Sequence, residues 1–222
     1  MPGLDAIIFD FDGTLADVPL DFTLMKRKIA ALGEVFLGRR PEPDETPALE
    51  WLAGLVEQVM AVDQAEGKEF RTRGQLVITA MEMDAARTGR LFDFTRPGLT
   101  LLTQRGVAAG IITRNISAAV RAVFPDVDAL TQVFIPRENA ARLKPDPDHL
   151  LRALRAVGAD PARSLMVGDH PMDVQTGLNA GTLTAGVTSG RMTAADFAPL
   201  GPTYVEPDVA ALLRRIEAEG LI

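Results

Sequence analysis

Apolar and polar positions follow two different rhythms along the 222 residues. The run Leu4-Asp5-Ala6-Ile7-Ile8-Phe9 is closed by the turn signal Asp12-Gly13, which predicts a short buried strand over residues 4–10. From about Asp17 to about Arg90 only helical periods recur. Phe22, Met25, Ile29 and Leu32 repeat at helical spacing behind Asp21, a residue suited to an N-cap. Pro41, Pro43 and Pro47 break that pattern. Leu49, Leu52, Val56, Val59 and Met60 then form a second stripe, and Leu76, Ala80 and Met83 with Val77 and Met81 a third. Trp51 lies beside the second stripe and is expected to be buried within the helical unit.

After Arg96-Pro97-Gly98 strands and helices alternate. Val107, Ile111 and Ile112 mark a strand within 106–113, followed by strands at 133–135, 165–167 and 183–187 and a short one at Tyr204-Val205. Helical stretches fall between and after them at about 116–123, 147–157, 172–180 and 208–219. Such alternation predicts an α/β fold, a doubly wound parallel sheet with helices on both faces. The first strand precedes the helical block, so the block is an insertion. The expected division is a core of residues 1–16 and 92–222 and an α-helical domain of residues 17–91.

Composition narrows the function classes. An apolar fraction of 47% and a charged fraction of 24% are those of an ordinary globular protein. A formal net charge of −7, with no basic run longer than Lys26-Arg27-Lys28, argues against nucleic acid or an anionic membrane as a partner. There is no cysteine, so redox chemistry says nothing of compartment. Asp5 and Asp10 interrupt the first apolar run, and no run approaches the ~20 residues needed to span a bilayer. A cytoplasmic location is the expectation. Oligomeric state is not legible, because an amphipathic helix can bury its stripe within the insert or against a partner.

The chemistry-bearing residues cluster at predicted strand ends. Asp10 and Asp12 follow the first strand, and Asp169 and Asp173 follow Ser164-Leu165-Met166-Val167. Carboxylates there face the crevice where open α/β sheets bind ligands. Held close, they would repel one another unless a cation shares the site. Oxygen ligands without cysteine point to Mg²⁺ rather than zinc or copper. Asp10 and Asp12, at i and i+2 on an extended segment, would point the same way with Phe11 turned into the core. One carboxylate can attack phosphorus while the other handles the leaving group's proton. The spacing of Asp169 and Asp173 would let both face the metal from one side of a helix beginning after Gly168. A purely structural reading makes them an N-cap and a first-turn acid.

The string Phe9-Asp10-Phe11-Asp12-Gly13-Thr14-Leu15 resembles the first motif of the haloacid dehalogenase-like superfamily of hydrolases, Asp-x-Asp-x-Thr/Val. Three further motifs occur in order: Ile111-Ile112-Thr113-Arg114-Asn115, Lys144 within Leu143-Lys144-Pro145-Asp146-Pro147, and Gly168-Asp169 with Asp173, followed by Gly177, Asn179, Ala180 and Gly181. The resemblance implies that Asp10 is the nucleophile and a Mg²⁺ ligand. It implies that Asp12 is the general acid and later the base, its main-chain carbonyl touching the metal. Thr113 and Lys144 would bind the phosphoryl group, Asp169 would ligate the metal, and Asp173 would ligate it or hold its waters. Arg114 intervenes where the family often has Asn directly after the Thr. Arg114 and Asn115 are therefore candidate substrate contacts, while His170 is expected to be supporting or solvent-facing and His149 structural.

A second aspartate argues for phosphate esters or anhydrides over dehalogenation. The helical insert resembles the cap of small-molecule phosphatases such as phosphoglycolate phosphatases and pyrophosphatases, with hinges at 16–20 and 91–97. Lys26, Arg27, Arg39 and Arg40 are candidate contacts for a second substrate anion, although solvated surface charges are the simpler reading. The expected activity is Mg²⁺-dependent hydrolysis of a small phosphorylated metabolite through an aspartyl phosphate. A phosphomutase, a pyrophosphatase and a receiver-like phospho-accepting module are the alternatives.

Overall fold

The structure, a computed structural model, describes residues 3–222. Its chain divides into two compact units, one of residues up to Val18 with Ala86–Ile222, the other Pro19–Ala85. The expected boundaries lay at 16/17 and 91/92. The difference arises because β2 (Ala16–Asp17) and β3 (Arg90–Leu91) pair antiparallel, which ties both connecting segments to the larger unit.

The larger unit is built on β1 (Ala6–Phe9), all four residues of which are buried. β4 (Ala108–Ile112) and β6 (Ser164–Gly168) flank it in parallel, β5 (Val133–Ile135) lies outside β4, and β7 (Leu183–Val187) and β8 (Tyr204–Glu206) lie outside β6. The order β5-β4-β1-β6-β7-β8 means that the chain leaves β1 toward one edge and later returns to its other side. Ligand crevices form where strand order reverses in this way, outside the carboxyl ends of the strands.

Side chains of β1 alternate between two cores, as a period of two requires. Ile7 and Phe9 join Ile111, Val167, Ala185 and Val187 under α4 (Thr95–Gln104) and α10 (Val209–Ala218), through Leu99, Leu102, Leu212 and Ile216. Ala6 and Ile8 join Ile112 and Met166 under α7 (Pro147–Val157), through Leu150, Ala153 and Leu154. Continuous apolar strands such as β1 are therefore explained by burial on both faces. α5 (Ser117–Val123), α6 (Val127–Leu130), α8 (Pro171–Ala180) and α9 (Ala194–Phe197) complete the unit. α4 is absent from the expected helices because Pro97 and Gly98 read as a break. Pro97 sits in the first turn, where its missing N–H has no intrahelical partner to lose.

The smaller unit consists of α1 (Phe22–Leu37), α2 (Ala48–Met60) and α3, Gln64–Ala86, whose last residue passes into the larger unit. Asp21 caps α1 by accepting from the Leu24 N–H at 2.8 Å. Trp51, Leu52, Leu55, Val56 and Val59 of α2 are buried, as are Met25 and Ile29 of α1. The stripe expected on α3 is only partly the buried one. Met81 is buried as expected, but its buried companions are Phe70, Ile78 and Ala85, and Leu76 is 62% exposed. Gly67 and Gly74 set the buried face: a Cβ on them would meet Met60 and Leu52 of α2 at 2.2 and 2.5 Å. A count of apolar residues misses a face whose close contacts are glycines. Among the described residues no helix is long and apolar enough to cross a membrane.

His149, on α7, is 1% exposed and its Nε2 lies 3.0 Å from the Ile135 carbonyl, while its Nδ1 has no partner among the described residues. Burial first, and then the Lys144 charge, lower its pKa from 6.5 to about 4, outweighing the Ile135 hydrogen bond and the charges of Asp10 and Asp148. The unfolded chain therefore binds this proton at a higher pH than the folded one, and stability falls as pH drops from 6.5 toward 4. A substitution H149Q, which keeps an N–H donor, is expected to cost stability at pH 7.5. The gap to wild type should narrow by roughly 2 kcal/mol between pH 7.5 and pH 5, measured by urea unfolding. An unchanged gap would show that His149 does not carry this pH dependence.

Candidate active site

Asp10 is the first residue past β1, and its N–H still bonds the Val167 carbonyl of β6 at 2.8 Å. The ladder thus fixes its backbone at the carboxyl edge of the sheet. Phe11 is fully buried, and its carbonyl receives the N–H groups of Leu15 at 2.9 Å and Ala16 at 3.1 Å. Gly13 adopts φ 78°, which a side chain would resist, so the chain reverses tightly behind Asp12.

Lys144 draws the acidic groups together. Its Nζ stands 2.7 Å from Asp10 Oδ1 and 2.6 Å from Asp173 Oδ1, and its side chain is 2% exposed. Burial works to neutralise this ammonium, but the charges of Asp10 and Asp173 and their hydrogen bonds outweigh burial and raise its pKa. Two contacts hold the loop that carries it: Arg114 Nη1 donates to the Lys144 carbonyl at 3.1 Å, and Asn179 Nδ2 donates to the Pro145 carbonyl at 3.1 Å.

Asp169 and Asp173 approach from β6 and α8. Asp10, Asp169 and Asp173 each present an oxygen within 4.8 Å of the others. The route differs from the expected helical i, i+4 face. Asp169 precedes α8, His170 is the N-cap and accepts from the Met172 N–H at 3.0 Å through Nδ1, and Asp173 lies in the first turn. Asp173 accepts from the His170 N–H at 3.2 Å as well as from Lys144. Burial, aided by the charge of Asp10, drives the pKa of both Asp169 and Asp173 upward, and Lys144 offsets this only in part. Burial also lowers the pKa of His170.

Asp169 is seated against backbone. A Cβ on Gly13 would meet its Oδ2 at 2.2 Å and one on Gly190 at 1.8 Å, while Thr14 Oγ1 donates to its Oδ1 at 3.5 Å. Ser189 Oγ donates to the Gly13 carbonyl at 2.7 Å, tying the loop after β7 to the turn after β1. Sequence reasoning did not single out Ser189 or Gly190. Their position just beyond the predicted strand 183–187, at the same sheet edge as the aspartates, was the available signal.

From β4 come Thr113, Arg114 and Asn115. Thr113 is fully buried; its N–H bonds the Ile135 carbonyl at 3.2 Å and its Oγ1 accepts from the Asn115 N–H at 3.0 Å. Arg114 Nη1 also lies 3.0 Å from Met172 Sδ. Asn115 donates to Asp12, 3.1 and 3.2 Å from its two carboxylate oxygens. Asp10, Asp12, Thr113, Arg114, Asn115, Lys144, Asp169 and Asp173 therefore all lie in one compact unit, whereas Lys26, Arg27, Arg39 and Arg40 lie in the helical one. In the helical unit Lys26 donates to the Asp44 carbonyl and Arg39 to Gln58 Oε1.

A family model for haloacid dehalogenase-like hydrolases matches residues 4–181. The chain belongs to this family. Among curated relatives of this haloacid dehalogenase-like hydrolase, the N-acetylmuramic acid 6-phosphate phosphatase of Pseudomonas aeruginosa is 28% identical over 84% of this chain and 83% of its own length. The phosphoglycolate phosphatase of Psychrobacter arcticus is 27% identical over 93% of each chain. The crystal structure of a hydrolase from Pseudomonas syringae shares the fold with a TM-score of 0.72 and 17% identity, covering 96% of this chain and 98% of that one.

The Lys144 cluster carries a stability consequence. Removing one partner of a buried pair leaves uncompensated charge, at a cost of about 3–5 kcal/mol. In EDTA at pH 8, K144M should lower unfolding free energy by roughly 3 kcal/mol, and adding D173N should restore part of it. Equal stability of the single and double variants in urea would contradict this account of Asp173.

Proposed function

We propose that the chain is a divalent-cation-dependent phosphomonoesterase that hydrolyses a small phosphorylated metabolite through an aspartyl phosphate on Asp10. The supporting observation is the Asp10 carboxylate at a strand end, paired with buried Lys144 at 2.7 Å and within 4.8 Å of Asp169 and Asp173 oxygens. Family membership and the phosphatase relatives favour the same reading.

The donor set suits Mg²⁺. Three carboxylates supply only hard oxygen atoms against one ammonium, and burial first, then the charges of Asp10 and Asp173, raise the pKa of Asp169. Asp10, Asp169 and Asp173 would hold the ion, which when bound supplies charge neutralisation to the phosphoryl oxygens.

The chain's own groups then divide the work. An Asp10 oxygen attacks phosphorus, and the bond from phosphorus to the ester oxygen breaks. Asp12 gives its proton to the departing oxygen. In the second half Asp12 takes a proton from water, whose oxygen displaces Asp10 and releases inorganic phosphate. The Thr113 oxygen already accepts from the Asn115 N–H, which leaves its O–H to donate to a phosphoryl oxygen. Lys144 offsets the charge of Asp10 and of the phosphoryl group. Arg114, engaged with the Lys144 carbonyl and Met172, supports the loop that presents the lysine.

Substitution D10N should leave the circular dichroism spectrum unchanged and lower kcat/KM by ~10⁴-fold or more. Full activity would refute Asp10 as nucleophile. D12N should reduce kcat/KM for alkyl phosphates by ~10²- to 10⁴-fold and for p-nitrophenyl phosphate far less, because nitrophenolate leaves without a proton. Equal losses would refute Asp12 as the acid. Activity should vanish in EDTA and return with excess Mg²⁺; turnover that persists in EDTA would remove the cation from the reading.

A further inference from the structure

Asn115 reaches both oxygens of a single carboxylate. Its Nδ2 stands 3.1 Å from Asp12 Oδ1 and 3.2 Å from Oδ2, although the two residues are 103 positions apart. Its other polar groups are committed. Its Oδ1 accepts from the Ile116 N–H at 2.8 Å, its N–H donates to Thr113 Oγ1 at 3.0 Å, and its carbonyl accepts from the Arg137 N–H at 3.0 Å. The Ile116 contact settles which end of the carboxamide faces Asp12: only an oxygen can accept from that N–H, so the amino end must face the carboxylate.

We infer that Asn115 is a positioning residue for Asp12 and not a substrate contact. This inference rests on the proposed role of Asp12 as the proton donor to the leaving group. Asp12 precedes the tight turn at Gly13 and is partly exposed, so its backbone alone does not fix its carboxylate. Two hydrogen bonds from this one amide nitrogen hold the carboxylate in place. The carboxamide is itself held by the Ile116 N–H, and the Asn115 backbone by Thr113 Oγ1 and the Arg137 N–H. The strand that delivers Thr113 to the phosphoryl group thereby also aims the acid at the departing oxygen. Arg114 spaces the two functions, since it places Asn115, and not itself, opposite Asp12.

The test compares leaving groups. N115D is isosteric, keeps the acceptor for the Ile116 N–H and replaces only the donor to Asp12. It should lower kcat/KM for alkyl phosphates by ~10- to 100-fold and for p-nitrophenyl phosphate by less than about threefold. In a D12N background, N115D should change neither substrate's kcat/KM by more than about twofold, because coupled residues are non-additive. N115S, which lacks the amide without adding charge, should shift the alkyl-to-aryl ratio in the same direction and serves if N115D does not fold. A proportional loss on both substrates in a folded N115D or N115S protein would overturn the inference, since that is the signature of a substrate contact or a general structural defect. If D12N itself shows no leaving-group dependence, it is the role of Asp12 that fails. If D12N shows it and neither Asn115 variant does, the positioning role fails alone.

Discussion

The buried ammonium of Lys144, bonded to Asp10 on one side and Asp173 on the other, is the interaction on which the rest of this site depends. Three carboxylates cannot gather at one edge of a low-dielectric sheet without opposite charge. One lysine supplies that charge, but not enough of it. Burial still raises the pKa of Asp169 and Asp173. The site is therefore assembled in a state of unsatisfied negative charge, and such a state has affinity for a hard cation. Folding and chemistry draw on the same electrostatic imbalance. The contacts that hold the lysine loop, from Arg114 and Asn179, belong to function as much as to structure.

The sheet explains how side chains so far apart in sequence meet. β1 lies between β4 and β6, and each of these strands ends in a chemistry-bearing residue at the same edge. Register does the alignment: Phe9 stands opposite Ile111 on one side and Val167 on the other. Asp10, Thr113 and Asp169 thus emerge within one or two residues of the same level. Backbone without side chains, at Gly13 and Gly190, then admits the Asp169 carboxylate into space that a methyl group would fill.

Much of the architecture was legible because its signals are local. Apolar runs marked every strand of the main sheet, and Pro147 at the start of α7 and Gly181 at the end of α8 punctuate helices in the usual way. Local signals failed where packing overrode them. Pro97 and Gly98 disguised α4, and the contacts of Gly67 and Gly74 with α2 placed the buried face of α3 away from Leu76. The ribbon of β2 and β3 escaped notice because two-residue strands carry no periodicity.

Sequence alone determined which groups are available and roughly where they emerge: four ordered motifs, two acidic pairs and one lysine beyond strands of an α/β fold. The strands and acidic pairs follow from chain-local periodicity and residue chemistry, and the four motifs from the family resemblance. Only the tertiary structure decided how the groups are partnered. It placed His170, not Asp169, at the cap of α8, turned Arg114 onto the lysine loop, and brought Asn115 to Asp12 across 103 residues. Side-chain partners depend on strand order and register, and those are fixed by burial of the whole sheet rather than by any one segment.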